Sequence, residues 1–180
     1  MFQAEMSVEL QRDCEAALIP SGVKVDIKKG TQALVTQALG SSYTVYINGN
    51  LVRIAGKDGD ALGLVILEEQ DINAELGSLE DKIWAQLKTC YDPEIPVNIV
   101  DLGLVYHCNI LELDAEKHQI DIQMTLTAPG CGMGPVLATE VEDKIRKIQG
   151  VTNVKVEIVF DPPWDRSRVS EEAKLQLGLL

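Results

Sequence analysis

M-T-L-T-A-P-G-C-G-M-G-P, residues 124–135, joins the end of a predicted strand to the start of a predicted helix. Apolar and polar residues alternate up to Thr127, which is typical of a strand with one buried face. Three glycines in the turn that follows allow left-handed or closely packed backbone, and Pro135 suits the first position of a helix. Apolar residues at helical spacing continue to Ile148, and Gly150 is a stop signal. The stretch therefore predicts a tight turn from strand to helix.

Cys131 lies at the centre of this turn, where free backbone N–H groups and the positive end of a helix dipole favour a thiolate. Its position fits a reactive or metal-binding cysteine. It equally fits a small apolar residue packed at a crowded turn, because many cysteines are simply buried. The other cysteines form no C-x-x-C pair and no zinc-ligand spacing, so one chain has no local four-cysteine site. They are Cys14, Cys90 and Cys108.

Length and charge limit the classes of function. The chain has 180 residues, a formal net charge of −12 and a sequence pI of about 4.5. This acidic balance argues against nucleic-acid binding, which usually needs a basic face. The longest apolar run is too short to cross a bilayer, and the first residues lack the basic and apolar pattern of a signal peptide. We expect a cytoplasmic protein with neither nucleic acid nor membrane as a partner.

The N-terminal part begins with a weak helical pattern over residues 1–20. From residue 21 the period changes, because apolar residues alternate with lysine and aspartate. This alternation predicts strands near residues 23–27 and 31–39. The apolar positions of the predicted helix are Met6, Leu10, Cys14 and Leu18.

Asn48-Gly49-Asn50 separates two further alternating runs and predicts a tight hairpin, because Asn and Gly tolerate positive φ. The polar loop at residues 56–60 lacks the full acidic spacing of a calcium-binding EF-hand, which favours a solvated turn. Residues 68–77 are acidic and rich in turn formers. We therefore predict a β-rich N-terminal module over residues 1–77 and a second domain over residues 78–180.

The second domain opens with Ser78, a good N-cap for a helix with an apolar stripe. Two X-Pro steps then disfavour helical backbone, so a loop follows. Asp92 and Glu94 in this loop form a carboxylate pair that suits metal binding or acid–base chemistry, or that caps a turn. The spacing alone favours the turn.

The remaining pattern predicts strands at residues 104–113 and 154–160 and a final helix at residues 171–177, which Ser170 caps. The resulting order, α-β-β-α-β-α, indicates an antiparallel sheet covered by helices. We therefore expect an α+β protein with a two-layer α/β sandwich. Trp164, followed by two arginines, forms either a recognition surface or an aromatic lid over the core.

Three motifs occur in order along this domain. They are Y-D-P-E-I-P-V-N-I-V-D-L-G-L-V-Y (91–106), the turn at 124–135, and D-P-P-W-D-R-S-R-V-S-E-E-A-K-L-Q-L-G (161–178). Together they resemble the SufT-type iron–sulfur assembly proteins, whose C-terminal domain belongs to the MIP-eighteen family. The resemblance implies an accessory factor in the maturation of iron–sulfur proteins, with the fold of the iron–sulfur assembly domain. The N-terminal module is similar to the extension that distinguishes SufT from shorter relatives.

The resemblance also carries over site residues. The aspartate-proline-glutamate motif of the family matches Asp92, Pro93 and Glu94, and its threonine-x-x-x-cysteine motif matches Thr127 and Cys131. It implies Cys131 as a transient ligand of iron or of an iron–sulfur cluster, with Asp92 or Glu94 as weaker oxygen ligands.

Motif residues with a structural role are expected to be Pro93, Thr127, Gly130 and Trp164. Iron–sulfur clusters are normally held by about four thiolates, so a second copy, a partner protein or a small thiol must complete the coordination. The implied partners are the iron–sulfur assembly machinery, apo client proteins and, by homodimerisation, another copy of the chain.

Two other functions remain open. In one, the protein is an adaptor that binds scaffold and client without metal. In the other, it is a thiol enzyme that uses Cys131 as nucleophile and His107 or His118 as base. Neither histidine lies in a recognisable motif, so we expect that the protein is not an enzyme.

Overall fold

The computed structural model describes residues 5–67, 73 and 77–179, which fall into two compact units. The first unit comprises Met1–Gln70 with Pro93–Pro96, and the second comprises Asp71–Asp92 with Val97–Leu180. Most of the predicted linker, residues 68–77, lies outside the described residues. The domain boundary after residue 77 therefore stays a prediction.

The first unit is a six-stranded sheet in which every pair of neighbouring strands is antiparallel. The strands are β1 (Met6–Glu9), β2 (Cys14–Ile19), β3 (Lys24–Ile27), β4 (Gln32–Leu39), β5 (Ser42–Ile47) and β6 (Asn50–Ala55). Their order in the sheet is β1-β4-β5-β6-β2-β3, and a 3-10 helix, Gly56–Leu62, follows β6. This unit confirms the predicted β-rich module.

The helix predicted over residues 1–20 is wrong, because the described part of this range forms β1 and β2. Cys14 and Ala16 are buried while Glu15 between them is exposed, which is the alternation of a strand. A spacing of four residues, as between Cys14 and Leu18, is compatible with both a helical and a strand period. Pairing of β2 with β3 and β6 on its two sides decides the outcome.

The hairpin at Asn48-Gly49 is confirmed. Both residues have positive φ, 49° and 86°, and Ile47 pairs with Asn50 across the turn. The loop that was predicted as a solvated turn is instead the 3-10 helix, in which Gly59 is buried. The Arg12 guanidinium donates to the carboxylates of Asp58 and Asp60 at 2.7–2.8 Å. These two carboxylates therefore pair with an arginine rather than form part of a calcium-binding loop.

The second unit confirms the predicted order α-β-β-α-β-α, and a short 3-10 turn, Arg166–Arg168, precedes its last helix. The elements are α1 (Leu79–Leu87), β7 (Val105–Asp114), β8 (Lys117–Met124), α2 (Gly134–Arg146), β9 (Val151–Ile158) and α3 (Glu171–Gln176). The three strands form a sheet in the order β7-β8-β9.

The expectation of an antiparallel sheet is only half right. β7 and β8 form an antiparallel hairpin, but β8 and β9 are parallel, with Ile120 opposite Val154 and Ile122 opposite Val156. The reason is the connection between them: α2 carries the chain back along the sheet, and a crossover through a helix joins parallel strands. The sheet is therefore mixed.

One face of this sheet is covered by helices, which gives the predicted two-layer sandwich. α2 packs on β9 and against α1. The apolar residues that form this core are almost completely inaccessible to solvent, and burying each of them contributes about 1.5–3 kcal/mol. They include Ile83, Leu87, Ile120, Ile122, Met124, Leu137, Val141 and Ile145.

Lys144 is a charged residue within this core, with 2% of its surface exposed. Its ammonium group donates to the carbonyl and the hydroxyl of Thr89 at 2.9 Å and lies 3.2 Å from the Glu140 carboxylate. Lys144 thus joins α2 to the segment that follows α1.

No helix among the described residues is long and apolar enough to span a bilayer.

Candidate functional site

The turn after β8 is exposed at its centre and anchored at both ends. Leu126 and Met133 are buried, whereas Gly130 is exposed and has φ +79°, a conformation that favours glycine. Cys131 is half-buried between them. Its N–H donates to the carbonyl of Ala128 at 3.3 Å, and its carbonyl accepts from Gly134, the first residue of α2, at 3.2 Å. The thiol is therefore carried on a short loop with fixed ends.

The structure brings together two of the sequence-predicted site residues, Asp92 and Thr127, which are 35 positions apart. The Thr127 hydroxyl donates to Oδ2 of Asp92 at 3.3 Å. Asp92 is 5% exposed, and its N–H donates to the carbonyl of Val97 at 3.2 Å. The aspartate of the first motif thus contacts the threonine of the second motif, four residues before the cysteine.

The other motif residues have different surroundings. Pro93 and Glu94 belong to the four-residue stretch that falls with the first unit, and the Glu94 side chain is exposed. Trp164 is half-buried, and its indole N–H donates to the carbonyl of Leu102 at 2.7 Å. The indole is therefore fixed by a hydrogen bond to the loop that leads into β7.

Sequence reasoning missed a set of contacts around the loop that leads into β7. The Arg168 guanidinium lies 4.4 Å from the centre of the Tyr106 ring, and the Tyr106 hydroxyl donates to the carbonyl of Pro162 at 2.8 Å. Gly103, with φ +69°, packs so closely on Arg168 that an added Cβ would lie 2.4 Å from its carbonyl oxygen. The glycine in D-L-G-L was the available signal, because such a residue often marks close backbone approach.

The four cysteines, all within the described residues, are thiols rather than disulfides, and they differ in environment. Cys14 and Cys90 are buried. Burial, with a smaller contribution from the Glu80 carboxylate, raises the pKa of the Cys108 thiol to about 11. Cys131 is the thiol carried on the exposed turn.

The capacity of one chain to hold metal is limited. Among residues 5–67, 73 and 77–179, no group of three or more His, Cys, Asp or Glu side chains is placed to bind a metal ion. A cluster at Cys131 would therefore need ligands from another molecule.

The two histidines are placed differently. His118 is the second residue of the strand that Met124 ends, and the two residues lie six positions or about 20 Å apart along β8. His107 is exposed and pairs with Gln123, so its side chain lies on the sheet face opposite that of Met124. The His107 side chain therefore lies on the face opposite that of the buried Met124, and His118 lies near the far end of β8.

Known proteins are similar to this chain in sequence. A family model described as "Iron-sulfur cluster assembly protein" matches residues 80–158. A Porphyromonas gingivalis protein named Fe-S protein maturation auxiliary factor is 39% identical over 109 residues, which cover 61% of this chain and 100% of that protein. The Staphylococcus aureus Fe-S protein maturation auxiliary factor SufT is 38% identical over 88 residues, which cover 49% of this chain and 96% of that protein.

A solved structure is also similar to this chain in fold. The crystal structure of a domain of unknown function, DUF59, from Bacillus anthracis is 35% identical, with a TM-score of 0.50, and the match covers 57% of this chain and 93% of that one. The chain therefore belongs to the iron–sulfur cluster assembly protein family. The resemblance to SufT and the α+β fold class are confirmed.

Proposed function

We propose that this protein is an accessory factor in the maturation of iron–sulfur proteins, with Cys131 as a transient ligand during delivery or insertion of a cluster. The observation that carries the proposal is the half-buried Cys131 on an exposed turn, four residues after Thr127, whose hydroxyl donates to the buried Asp92 carboxylate. The names of the relatives support the same process. The partners are the assembly machinery and apo client proteins.

The chemistry of delivery is ligand exchange. The Cys131 thiol gives its proton to solvent and its sulfur binds one iron of the cargo. A client thiolate later takes that coordination position, so no electron is transferred. The other ligands come from the donor, from a small thiol or from a second copy, since a two-fold axis presents Cys131 twice.

The carboxylates have secondary roles in this proposal. Asp92 is buried and accepts a hydrogen bond from Thr127, which favours positioning of the turn over direct coordination. Glu94 is exposed and is the better candidate for an oxygen ligand.

The positions of both histidines favour a factor without catalytic activity of its own. The four reduced thiols suit the cytoplasm, where glutathione and thioredoxin keep thiols reduced.

A protein-binding adaptor is the second candidate. It is favoured by the lack of a metal-binding cluster within the described residues. In that case the protein holds donor and client together, and Cys131 contributes only to the shape of the turn.

Iron and acid-labile sulfide, measured per chain in protein purified without oxygen, distinguish the two candidates. We expect iron and sulfide in wild type and in Cys108→Ser, the matched control, and neither iron nor sulfide in Cys131→Ser.

The second assay is transfer of a cluster from a loaded donor to an apo client. Loss of transfer in Cys131→Ser with partner binding retained supports the ligand role, whereas unchanged transfer in Cys131→Ser contradicts it.

A further inference from the structure

We infer that residues 161–170, here called the clamp segment, position the Asp92–Thr127 pair and with it the turn that carries Cys131. This inference rests on the proposed function of that turn. The residues that act are Trp164 and Arg168, and they are positioning residues rather than ligands. The clamp segment lies beyond residues 80–158, which the family model matches.

The clamp segment holds three consecutive residues of the loop before β7. The Trp164 indole donates to the carbonyl of Leu102 at 2.7 Å, and the N–H of Ser170 donates to the carbonyl of Asp101 at 2.8 Å. Between these bonds, the backbone of Arg168 packs directly on Gly103. Because the contacts fall on neighbouring residues, the loop is fixed in position and in orientation.

The same segment is fixed to the start of β7. The Tyr106 hydroxyl donates to Pro162, and the Tyr106 ring stacks under the guanidinium of Arg168. The positive guanidinium is attracted to the electron-rich face of the ring, so this contact holds Arg168 on β7. The clamp segment is thus tied at both of its ends as well as at Trp164.

The clamped loop contacts both sides of the candidate site. On one side, Tyr91 forms an isolated bridge with Asn98, and the next residue, Asp92, donates its N–H to Val97. On the other side, the carbonyl of Leu104 accepts from the N–H of Thr125 at 2.8 Å, two residues before Thr127. A shift of the loop therefore moves both partners of the Asp92–Thr127 hydrogen bond.

The first test replaces Trp164 by Phe, which keeps an aromatic ring and removes the donor to Leu102. The readout is the rate of alkylation of Cys131 by iodoacetamide, followed by mass spectrometry of the peptide that contains it. We expect an increase of about fivefold, the equivalent of one hydrogen bond of about 1 kcal/mol. Arg166→Ala is the control, because Arg166 is exposed and lies in the same segment; its rate stays within about twofold of wild type.

The second test asks whether the effect passes through Thr127. Thr127→Val removes the hydrogen bond to Asp92 directly. If the clamp acts through this bond, the double variant with Trp164→Phe alkylates no faster than the faster single variant. Gly103→Ala, which displaces Arg168 without touching the indole, gives an increase in the same direction.

A purely structural role makes a different prediction. In that case Trp164→Phe lowers the thermal midpoint and leaves the alkylation rate of the folded protein unchanged. An unchanged or slower rate in Trp164→Phe, or effects that multiply in the double variant, would overturn the inference. Alkylation requires no iron. The alkylation rates therefore test the positioning role of the clamp segment even if Cys131 proves not to bind a cluster.

Discussion

The four cysteines of this chain differ in burial, and burial changes how readily a thiol reacts. Cys90 is completely buried, and Cys14 has 6% of its surface exposed. Burial is the main cause that raises the pKa of the Cys14 thiol, and it raises the pKa of Cys108 further. Since thiolates and not thiols react with electrophiles, the raised pKa protects Cys14 and Cys108, while complete burial protects Cys90.

Labelling with iodoacetamide at about pH 8 therefore modifies Cys131 first, because the other thiols are buried or remain protonated. Cys131→Ser removes the fast phase, and Cys108→Ser leaves it intact. Mass spectrometry of the labelled peptides checks the order. Modification of Cys108 before Cys131 would contradict this prediction.

Lys144 is a residue whose charge is held in the core by specific partners. Lys144→Met keeps most of the stem and removes the donors to Thr89 and Glu140. Breaking one side of a buried pair typically costs about 3 kcal/mol, so we expect a loss of unfolding free energy of that order. Urea denaturation measures it. Lys155→Met, on an exposed position of β9, is the matched control and changes stability by less than about 0.5 kcal/mol.

At the scale of elements, α1 begins with a complete capping box. The Ser78 hydroxyl accepts from the N–H of Asp81 at 3.1 Å and donates to its carboxylate at 2.6 Å, while the N–H of Ser78 donates to the same carboxylate. These bonds lower the pKa of Asp81 below its ordinary value. The sequence pattern S-L-E-D was sufficient to predict this start.

Ser78→Ala should lower the unfolding free energy by about 1 kcal/mol at neutral pH. The carboxylate of Asp81 stabilises the folded state above its unfolded pKa of about 3.9, and this contribution is lost as pH falls through the lower folded value. The difference between wild type and variant therefore shrinks in acid. Urea titrations at about pH 7 and about pH 3 measure this change. Asp81→Asn should reproduce the acid result at neutral pH, and a difference that grows in acid would refute the assignment.

Elements with local signals were predictable, and those that depend on distant partners were not. Asn48-Gly49 and the Ser78 cap determine their own geometry through φ and nearby hydrogen bonds. The strand identity of β2 and the parallel pairing of β9 depend on neighbours far along the chain. The contact of Thr127 with Asp92 is also long-range, so the motifs indicated both residues without indicating that they meet.

At the scale of the whole molecule, the chain combines two units with separate sheets. The Porphyromonas gingivalis relative is covered entirely by a match to 109 residues of this chain. A polypeptide of that length therefore exists without a counterpart to the remaining residues. The apolar core between the three-stranded sheet and its helices is the physical basis for independent folding.

A fragment of residues 78–180 should fold alone. We expect a circular dichroism spectrum with helix and strand and one cooperative urea transition, because this fragment contains all its helices and strands. Leu137→Ala in the fragment should lower its unfolding free energy by about 2–5 kcal/mol if the transition reports this core. A broad, non-cooperative transition would show that the fragment needs the first unit.

The mixed sheet also has a consequence for the order of folding. The β7–β8 hairpin joins strands that are neighbours in the chain, so its contacts close quickly. Pairing of β8 with β9 must wait until the crossover through α2 brings the strands together. The turn with Cys131 lies inside that closing segment. The loop that carries Cys131 therefore reaches its final shape late, after the hairpin that leads into it has formed.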